Sequence, residues 1–554
     1  PLLPARLSRS GPGIGWLDIN QDGREELIVT TGKDGKAALF NYQPDGRFLL
    51  FDEGSIDRRA DGDQTAVAGW QENDSVRLVL GSANYEQGTP AAASAFVYTL
   101  QNGTVTDRQE IPGILSTTGP VAAADYTGDG YVDLFIGGRH LPGQYPADAT
   151  SRLFVGREGE FLPDEKNSEL FREIGLVTDA LFADITGNGW QDLLLATEWG
   201  SLKLFENRKG TFFNITDEVG LAGYHGWWTG LAIGDFTGNG RADIVALNIG
   251  SNSAYQLRHG RPLRLYFDDF NWNGRLDVLE TYYSREVGGY VPRRKLHDFE
   301  SLRGAITHVQ SHQQFASSSI TEIFDRPFNR VPYKEINTLE HTLFLNREDG
   351  FEAKPLPAEA QFSMGFYAGT ADFDNDGRED LFISQNFFGF STNTPRLDGG
   401  IGLILRGDGE GTFRAVPAAK SGIKVFGEQR GAALGDFDGD GTTDIVVSQN
   451  GGTTKVYQSR VSRKGLRIRL HGPPSNQNGV GSSLRLIYED GSRGPRRYVQ
   501  AAGGYASQNS FIQVLGSEEG KKVSAVEVVW FTGEKISYPI DSDIPEHTLT
   551  LGEE

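Results

Sequence analysis

Seven nine-residue stretches place side-chain oxygens at the same offsets: Asp at position 1, Asp, Asn or Thr at 3, Asp or Asn at 5, Gly at 6, and Asp or Glu at 9. The first is Asp18, Asn20, Asp22 and Glu26; the second is Asp125, Thr127, Asp129 and Asp133. Three leaner copies follow: Asp184, Thr186, Asn188 and Asp192; Asp235, Thr237, Asn239 and Asp243; Asp269, Asn271, Asn273 and Asp277. The last two are all carboxylate: Asp372, Asp374, Asp376 and Asp380, then Asp436, Asp438, Asp440 and Asp444. Oxygen donors at 1, 3, 5 and 9, with a backbone carbonyl from 7, converge on one point, and the glycine permits the turn. Several carboxylates and no nitrogen or sulfur suit a hard cation with six to eight flexible ligands, which is Ca2+ rather than Mg2+. Without a cation, the fullest loops would crowd carboxylates at unfavourable separations. Affinity should follow ligand charge, so the Asp372 and Asp436 loops are expected to bind most tightly. Seven Ca2+ would bring the formal charge from −21 to −7. Recurrence in seven copies argues for a structural role rather than an active site.

Other candidates for chemistry are thinner. His308 and His312 are four residues apart in a segment expected to be helical, a zinc-like spacing, but Val309 stands where a zincin carries Glu. His225 lies beside Tyr224, Trp227 and Trp228, which could stack on a sugar ring, although packing of Trp227 and Trp228 between blades is the favoured reading. Arg139 and His140, with Tyr145, fall on a longer loop after a strand, a usual place for a ligand site. Arg493, Arg496 and Arg497 make a short basic patch near the carboxy terminus. No G-x-S-x-G, Walker or dinucleotide motif is present, and catalytic residues are not assignable.

The loops need elements to hold them. Each is followed by a short β-prone apolar run, such as LIVTTG, LFIGG, LLLAT or IVVSQN, bounded by turn residues. Further along come a second hairpin and a Gly turn, as in LKLFENRKGTFFNIT. Two hairpins per unit give a four-stranded sheet. With a weak unit near Gly69 that lacks the acidic loop, eight units recur about every 60 residues, which predicts an all-β, calcium-binding β-propeller over residues 1–460. Eight blades are expected; seven is the alternative, because Asp235 and Asp269 are only 34 residues apart. Residues 293–335 lose strand alternation. Apolar residues at Leu296, Phe299, Leu302, Ile306 and Val309 predict a helical insertion, with a second helix starting near Ser319. From 461 to 554 the repeat gives way to short strands, expected to form a separate small β-domain. Glycine makes up 71 of 554 residues, as a turn-rich β-protein requires.

Net charge of −21 disfavours nucleic acid and anionic lipid as partners. The absence of cysteine excludes disulfides and thiolate chemistry, and no apolar run is long enough for a membrane span. A start at Pro1 suggests a mature or excised piece of a longer chain.

The loop pattern flanked by strands resembles the FG-GAP/VCBS repeat, as in the integrin α-subunit propeller. The segments NGVGSSLRLIYEDG, YVQAAGGYASQNS and VEVVWFTGEK resemble the ASPIC/UnbV domain, with Phe531 where that family often has Pro. Together they resemble the cartilage-acidic-protein-like bacterial family. The resemblance implies a secreted or surface-attached calcium protein, with periplasm as a further location, and no established reaction. The reading that follows is an extracellular binding, adhesion or assembly protein for a glycan or protein partner. The alternatives are a polysaccharide lyase or hydrolase with its site in the propeller funnel, and a structural subunit of an extracellular assembly formed by self-assembly.

Overall fold

The computed structural model describes residues 2–51, 56, 59–85, 89–90, 92–391 and 394–553. Ile14–Leu17 and Glu26–Val29 flank the first acidic loop as an antiparallel hairpin, and Ala38–Tyr42 and Phe48–Leu50 extend it to sheet 1. Six more sheets repeat this order. Sheets 2 to 7 begin with Gln64–Glu72, Thr117–Ala124, Leu176–Ala183, Leu231–Gly234, Gly365–Ala371 and Glu428–Gly435. Sheet 2 is the unit without an acidic loop; a tight turn joins Glu72 to Ser75 instead.

The first strands are rich in small residues and nearly all their positions are buried, as in TTGPVAAA and EQRGAALG. Small side chains let strands converge. The seven first strands neighbour one another in chain order, and the seventh returns to the first. Successive sheets pack face to face through apolar layers. Phe135 and Phe205 lie between sheets 3 and 4, Leu194 and Ile244 between 4 and 5, and Leu343 and Leu381 between 5 and 6. Trp16 and Leu27 of sheet 1 meet Ala433 and Val446 of sheet 7, with Trp16 stacked on Phe437 at 5.6 Å. The architecture is all-β and propeller-like.

The Asp269 hairpin stands outside this ring. Leu263–Asp268 and Asp277–Ser284, with Gly289–Pro292 and Tyr333–Ile336, form their own sheet. It is inserted between the second and third strands of sheet 5, Asp243–Ala246 and Thr342–Arg347. The short spacing between Asp235 and Asp269 arises because both belong to one unit. The expected long helix is instead a 3-10 segment, Leu296–Ala305, interrupted at Phe299, followed by short helices His312–Ala316 and Ile320–Phe324. Leu296, Phe299 and Leu302 are buried, as their period implied, so the helical pattern was a correct guide to burial and a poor one to helix length. Ser319 and Glu322 do form a capping box.

The carboxy-terminal region builds two sheets. One contains Leu466–His471, Gln513–Leu515 and Glu546–Thr550; the other contains Ser483–Tyr488, Arg497–Tyr498, Val523–Val529 and Lys535–Pro539. It packs against the ring. Leu484 and Trp530 share one apolar cluster with Leu17, Trp70 and Val79 of the ring. The segment 500–510 also leaves these sheets and runs into the ring. Ser507–Gln508 adds to Ile14–Gly15 as a parallel strand and borders the first strand of sheet 2, and Ala501 bridges to Ala123. Gln500 Nε2 donates to the Phe182 carbonyl at 3.0 Å. Asn509 Oδ1 accepts from Tyr367 Oη at 2.6 Å and from the Leu434 N–H at 3.0 Å. Gly504, at φ +110°, would bring a Cβ to 3.2 Å from the Ala368 carbonyl and 3.3 Å from that of Leu231. One short segment thus meets the first strand of all seven sheets, which requires those strands to surround it. Its small residues, AAGG, fit the narrow space they leave.

Candidate metal centres

The seven acidic loops share one hydrogen-bond frame. The position 1 Asp accepts the N–H of the fifth residue on Oδ1 and that of the sixth, the glycine, on Oδ2, at 2.7–3.2 Å in every loop. Oδ1 of the fifth residue accepts the N–H of the seventh at 2.8–3.0 Å. In five loops one oxygen of the position 9 carboxylate accepts an N–H just after position 1, as Asp133 does from Tyr126 and Thr127. Its other oxygen commonly accepts from the third strand, as Asp192 does from Asn207 and Asp380 from Gly407. The carboxylates therefore tie first, second and third strands together before any ion is considered.

Position 4 carries a constraint that the oxygen spacing did not convey. It is left-handed in all seven loops, at φ +56° to +77°, as is the glycine at position 6. Four loops meet it with Gly128, Gly187, Gly238 and Gly439; Gln21, Trp272 and Asn375 adopt it elsewhere. The recurring T-G-x-G and D-G-D-G strings carried this signal.

Burial makes these loops electrostatically expensive. It pushes Glu26, Asp380 and Asp444 up to about 8, Asp192, Asp243 and Asp372 to about 7, and Asp125 to about 6, with neighbouring carboxylates adding to most of these shifts. Among the described residues, two groups bring three carboxylates within 4.8 Å: Asp372, Asp374 and Asp376, and Asp436, Asp438 and Asp444. These are the loops with the highest charge count. Several acceptors there and elsewhere have no donor: Asp374 Oδ1, Asp444 Oδ2, Asp277 Oδ2, Asn271 Oδ1 and Thr237 Oγ1. Buried oxygen acceptors without donors fit a hard cation, and positions 1, 3, 5 and 9 would hold it. Basic side chains partly offset the charge, with Arg406 on Asp374, Lys464 on Asp440 and Arg467 on Asp436.

The carboxy-terminal region covers the loop-bearing end of the ring. The Arg496 N–H donates to Asp235 Oδ2 at 3.1 Å, Arg469 Nη2 to the Gly23 carbonyl at 3.0 Å, and Gln191 Nε2 to the Gly481 carbonyl at 2.9 Å. Arg497 grips Glu379, position 8 of the Asp372 loop, at 2.8 and 2.9 Å. The basic patch read from the sequence is therefore largely spent internally. The Asp269 loop differs: Trp272 at its tip is 85% exposed.

Replacing Asp436 and Asp184 separates the loops by charge. Asp436→Ala leaves the buried Arg467 short of a partner, a loss of about 3 kcal/mol on the scale of broken buried pairs. Asp184→Ala forfeits two loop hydrogen bonds, about 1–2 kcal/mol. Urea denaturation in saturating calcium should rank them in that order; equal losses would contradict the ranking.

The proposed ligand residues fare differently. Trp227 and Trp228 are buried, Trp227 against Trp199, Tyr255 and Phe390, and Trp228 against Phe344, so neither offers a face to a sugar. His225 is half-buried in a strand edge whose carbonyl accepts from Asn337 and Thr338. His308 lies between helices and bonds the Glu322 carbonyl at 2.8 Å, so it does not share a helix face with His312. Arg139 and His140 end the second strand of sheet 3, Asp133–His140, at the end of the ring opposite its acidic loop. There Arg139 pairs with Glu198, which also accepts from Tyr145 Oη at 2.6 Å. Fully buried Arg430 meets Glu428 at 2.7 Å, and Arg9 meets Glu428 at 2.9 Å. Tyr505, on the central segment, reaches the same place, and its hydroxyl donates to the Ser10 carbonyl at 3.0 Å. Sequence spacing could not bring these residues together, because the ring does so across hundreds of positions.

Comparison with known proteins follows this division. An FG-GAP-like repeat model matches residues 184–246, an FG-GAP repeat model 430–462, and the ASPIC and UnbV model 472–553. No curated protein matches the chain. Similar solved structures include an Agrocybe aegerita lectin described as recognising non-reducing terminal N-acetylglucosamine (14% identity, 81% of this chain and 95% of that one, TM-score 0.39). Another is the V. cholerae biofilm matrix protein Bap1 (11%, 82% and 88%, 0.33). A third is the exotype rhamnogalacturonan lyase YesX (12%, 99% and 92%, 0.30). Sequence motifs and family models agree: the chain carries FG-GAP repeats and a carboxy-terminal ASPIC/UnbV domain.

Proposed function

We propose that the protein is an extracellular, calcium-loaded, seven-bladed propeller that acts by binding a glycan or protein partner, with the Asp269 loop as a further calcium site on the inserted sheet. The observation that carries this reading is the occupied axis. The segment 500–510 fills the space between the first strands, and the rest of the ASPIC/UnbV region caps the loop-bearing end. A catalytic funnel needs that space for substrate. The loops act as ties between strands, which suits a rigid display scaffold. The opposite end and the inserted sheet are the surfaces left for a partner.

A glycan array and a panel of extracellular matrix proteins, both probed in millimolar calcium with a chelated control, test the reading. Calcium-dependent capture of a defined glycan or protein is expected. Turnover of a polysaccharide without stable capture of any partner would overturn it in favour of an enzyme.

A further inference from the structure

Sheets 1 to 6 each carry a fourth, outermost strand, whereas sheet 7 stops at its third, Lys455–Tyr457. The chain leaves here instead of turning back. The Ser459 N–H still donates to Asp444 Oδ1 at 2.7 Å, as that of Asn207 does to Asp192. Beyond it the Arg463 carbonyl accepts from Asn375 Nδ2 at 2.8 Å, and the Gly465 N–H donates to the Gly441 carbonyl at 2.9 Å. The next strand, Leu466–His471, already belongs to the carboxy-terminal sheets.

Two recurring contacts of the fourth strand are thereby lost. In sheets 1, 3, 4 and 6 the third-strand residue opposite position 11 of the repeat is Leu39, Leu153, Leu204 or Ile404. Its carbonyl accepts an N–H from just beyond the fourth strand at 2.8–3.0 Å. Val456 holds that place in sheet 7, and among the described residues nothing donates to its carbonyl. In five sheets the fourth strand also sets a Phe opposite the end of the third: Phe48, Phe161, Phe212, Phe351 and Phe413. Three of these meet the aromatic at position 2 of the preceding sheet's loop. Phe212 lies 5.3 Å from Tyr126, Phe413 5.1 Å from Phe236, and Phe48 5.4 Å from Phe437. Phe373 is that aromatic for sheet 7. Among the described residues no ring stacks on it, and it lines a cleft of about 1120 Å³ between sheets 6 and 7. Ile404, Ile423, Ile445 and Tyr457 line it too, and Val456 at its edge is 38% exposed. An open strand edge beside apolar surface is a template for strand addition.

Charge narrows the occupant. Arg414, Lys420 and Arg460 line the same cleft and are exposed, and among the described residues none has an ion-pair partner, in a chain of formal charge −21. Cations left unpaired in so acidic a protein complement carboxylates on an incoming strand. We propose that the outer edge of sheet 7 binds an extended acidic segment of a partner protein, which pairs antiparallel with Lys455–Tyr457 and seats an aromatic side chain against Phe373. The inference goes beyond the binding reading above: it gives the rim of the ring a peptide site of its own, which holds or fails independently of what the opposite end or the inserted sheet binds.

The test uses a synthetic peptide, GTFFNITDE, which repeats residues 210–218 and so contains the fourth strand of sheet 4. Fluorescence anisotropy of the labelled peptide against the full calcium-loaded chain should show saturable binding. Replacing its first phenylalanine by alanine should weaken binding roughly tenfold or more, the scale of a lost aromatic anchor. Replacing its two carboxylates by amides should weaken it roughly threefold or more and flatten its salt dependence. On the protein, Val456→Pro takes away an edge N–H and should abolish binding. Arg414→Glu with Lys420→Glu reverses two exposed charges and should weaken binding roughly tenfold. Both variants are checked for unchanged melting. Absence of saturable binding, parent-like affinity for the alanine peptide, or parent-like binding by both protein variants would overturn the proposal. So would concentration-dependent dimerisation that Val456→Pro abolishes, which would assign the edge to a second copy of this chain.

Discussion

Chelating calcium is expected to lower the melting temperature of this protein by roughly 5–10 °C at pH 8, and by much less at pH 5. Two sites held at about 100 times their Kd contribute about 5 kcal/mol together, which at a few degrees or less per kcal/mol in a chain of this size gives that shift. The Asp372 and Asp436 loops are the two sites in mind, because each brings three carboxylates within 4.8 Å. The pH dependence follows from Glu26, Asp380 and Asp444, which burial raises to about 8. Without an ion, the folded chain binds protons there that the unfolded chain has already released. That stabilisation is fully present below the ordinary carboxylate range near 4 and is lost as pH rises through 8. Calcium removes this slope, since it takes the ionised ligands, which the unfolded chain also holds ionised above about pH 5, and at lower pH it must displace those protons. The chelated protein should therefore lose stability between pH 5 and 8 while the calcium-saturated form stays nearly constant, so the chelation effect grows with pH. Melting curves with and without chelator at pH 5, 6, 7 and 8 check both slopes. A chelation effect of the same size at every pH would mean that the loop carboxylates are not the ligands.

Arg497→Met should cost about 3–5 kcal/mol, the range for removing one member of a buried ion pair. Arg497 is 7% exposed and Glu379 3%, and the two share a bidentate contact across the junction between the ASPIC/UnbV region and sheet 6. Burial raises the Glu379 pKa, and the guanidinium opposes that rise. Removing Arg497 leaves a carboxylate in a dry junction, where it must take a proton or admit water. Arg497 also donates to the Val514 carbonyl at 2.9 Å, so its loss loosens the strand that follows the central segment. The double variant Glu379→Gln with Arg497→Met removes the uncompensated charge and should recover part of the loss. Urea unfolding of the parent, both single variants and the double variant measures the coupling directly. A loss below about 1 kcal/mol in Arg497→Met would show that the pair does not clamp the junction.

The repeat was legible because six of the seven ring units declare themselves within nine residues. Asp at position 1, Gly at 6 and the acid at 9 meet through local backbone hydrogen bonds, and local geometry is what spacing encodes. The hairpins on either side follow from apolar runs too short for helices. Two things were not legible. The place of Asp269 depends on which strand pairs with which: Ile244 takes Phe344 as its partner, about 100 positions away, and the chain between them is free to build its own sheet. The role of AAGGYASQNS depends on the ring around it; in the sequence it is a motif resembling the ASPIC/UnbV domain, with nothing to say which strands it meets. Trp227 and Trp228 are buried, as the packing reading favoured for them expects; the sugar-platform alternative needed an exposed face that they lack.

The calcium content of the purified chain decides whether the acidic loops hold metal. After dialysis against buffer with micromolar free calcium, elemental analysis should find at least two tightly held ions per chain, rising toward seven as free calcium reaches the millimolar range, with no comparable uptake of magnesium or zinc. Fewer than one calcium per chain at millimolar calcium, together with melting that a chelator leaves unchanged, would contradict the reading of these loops as metal sites.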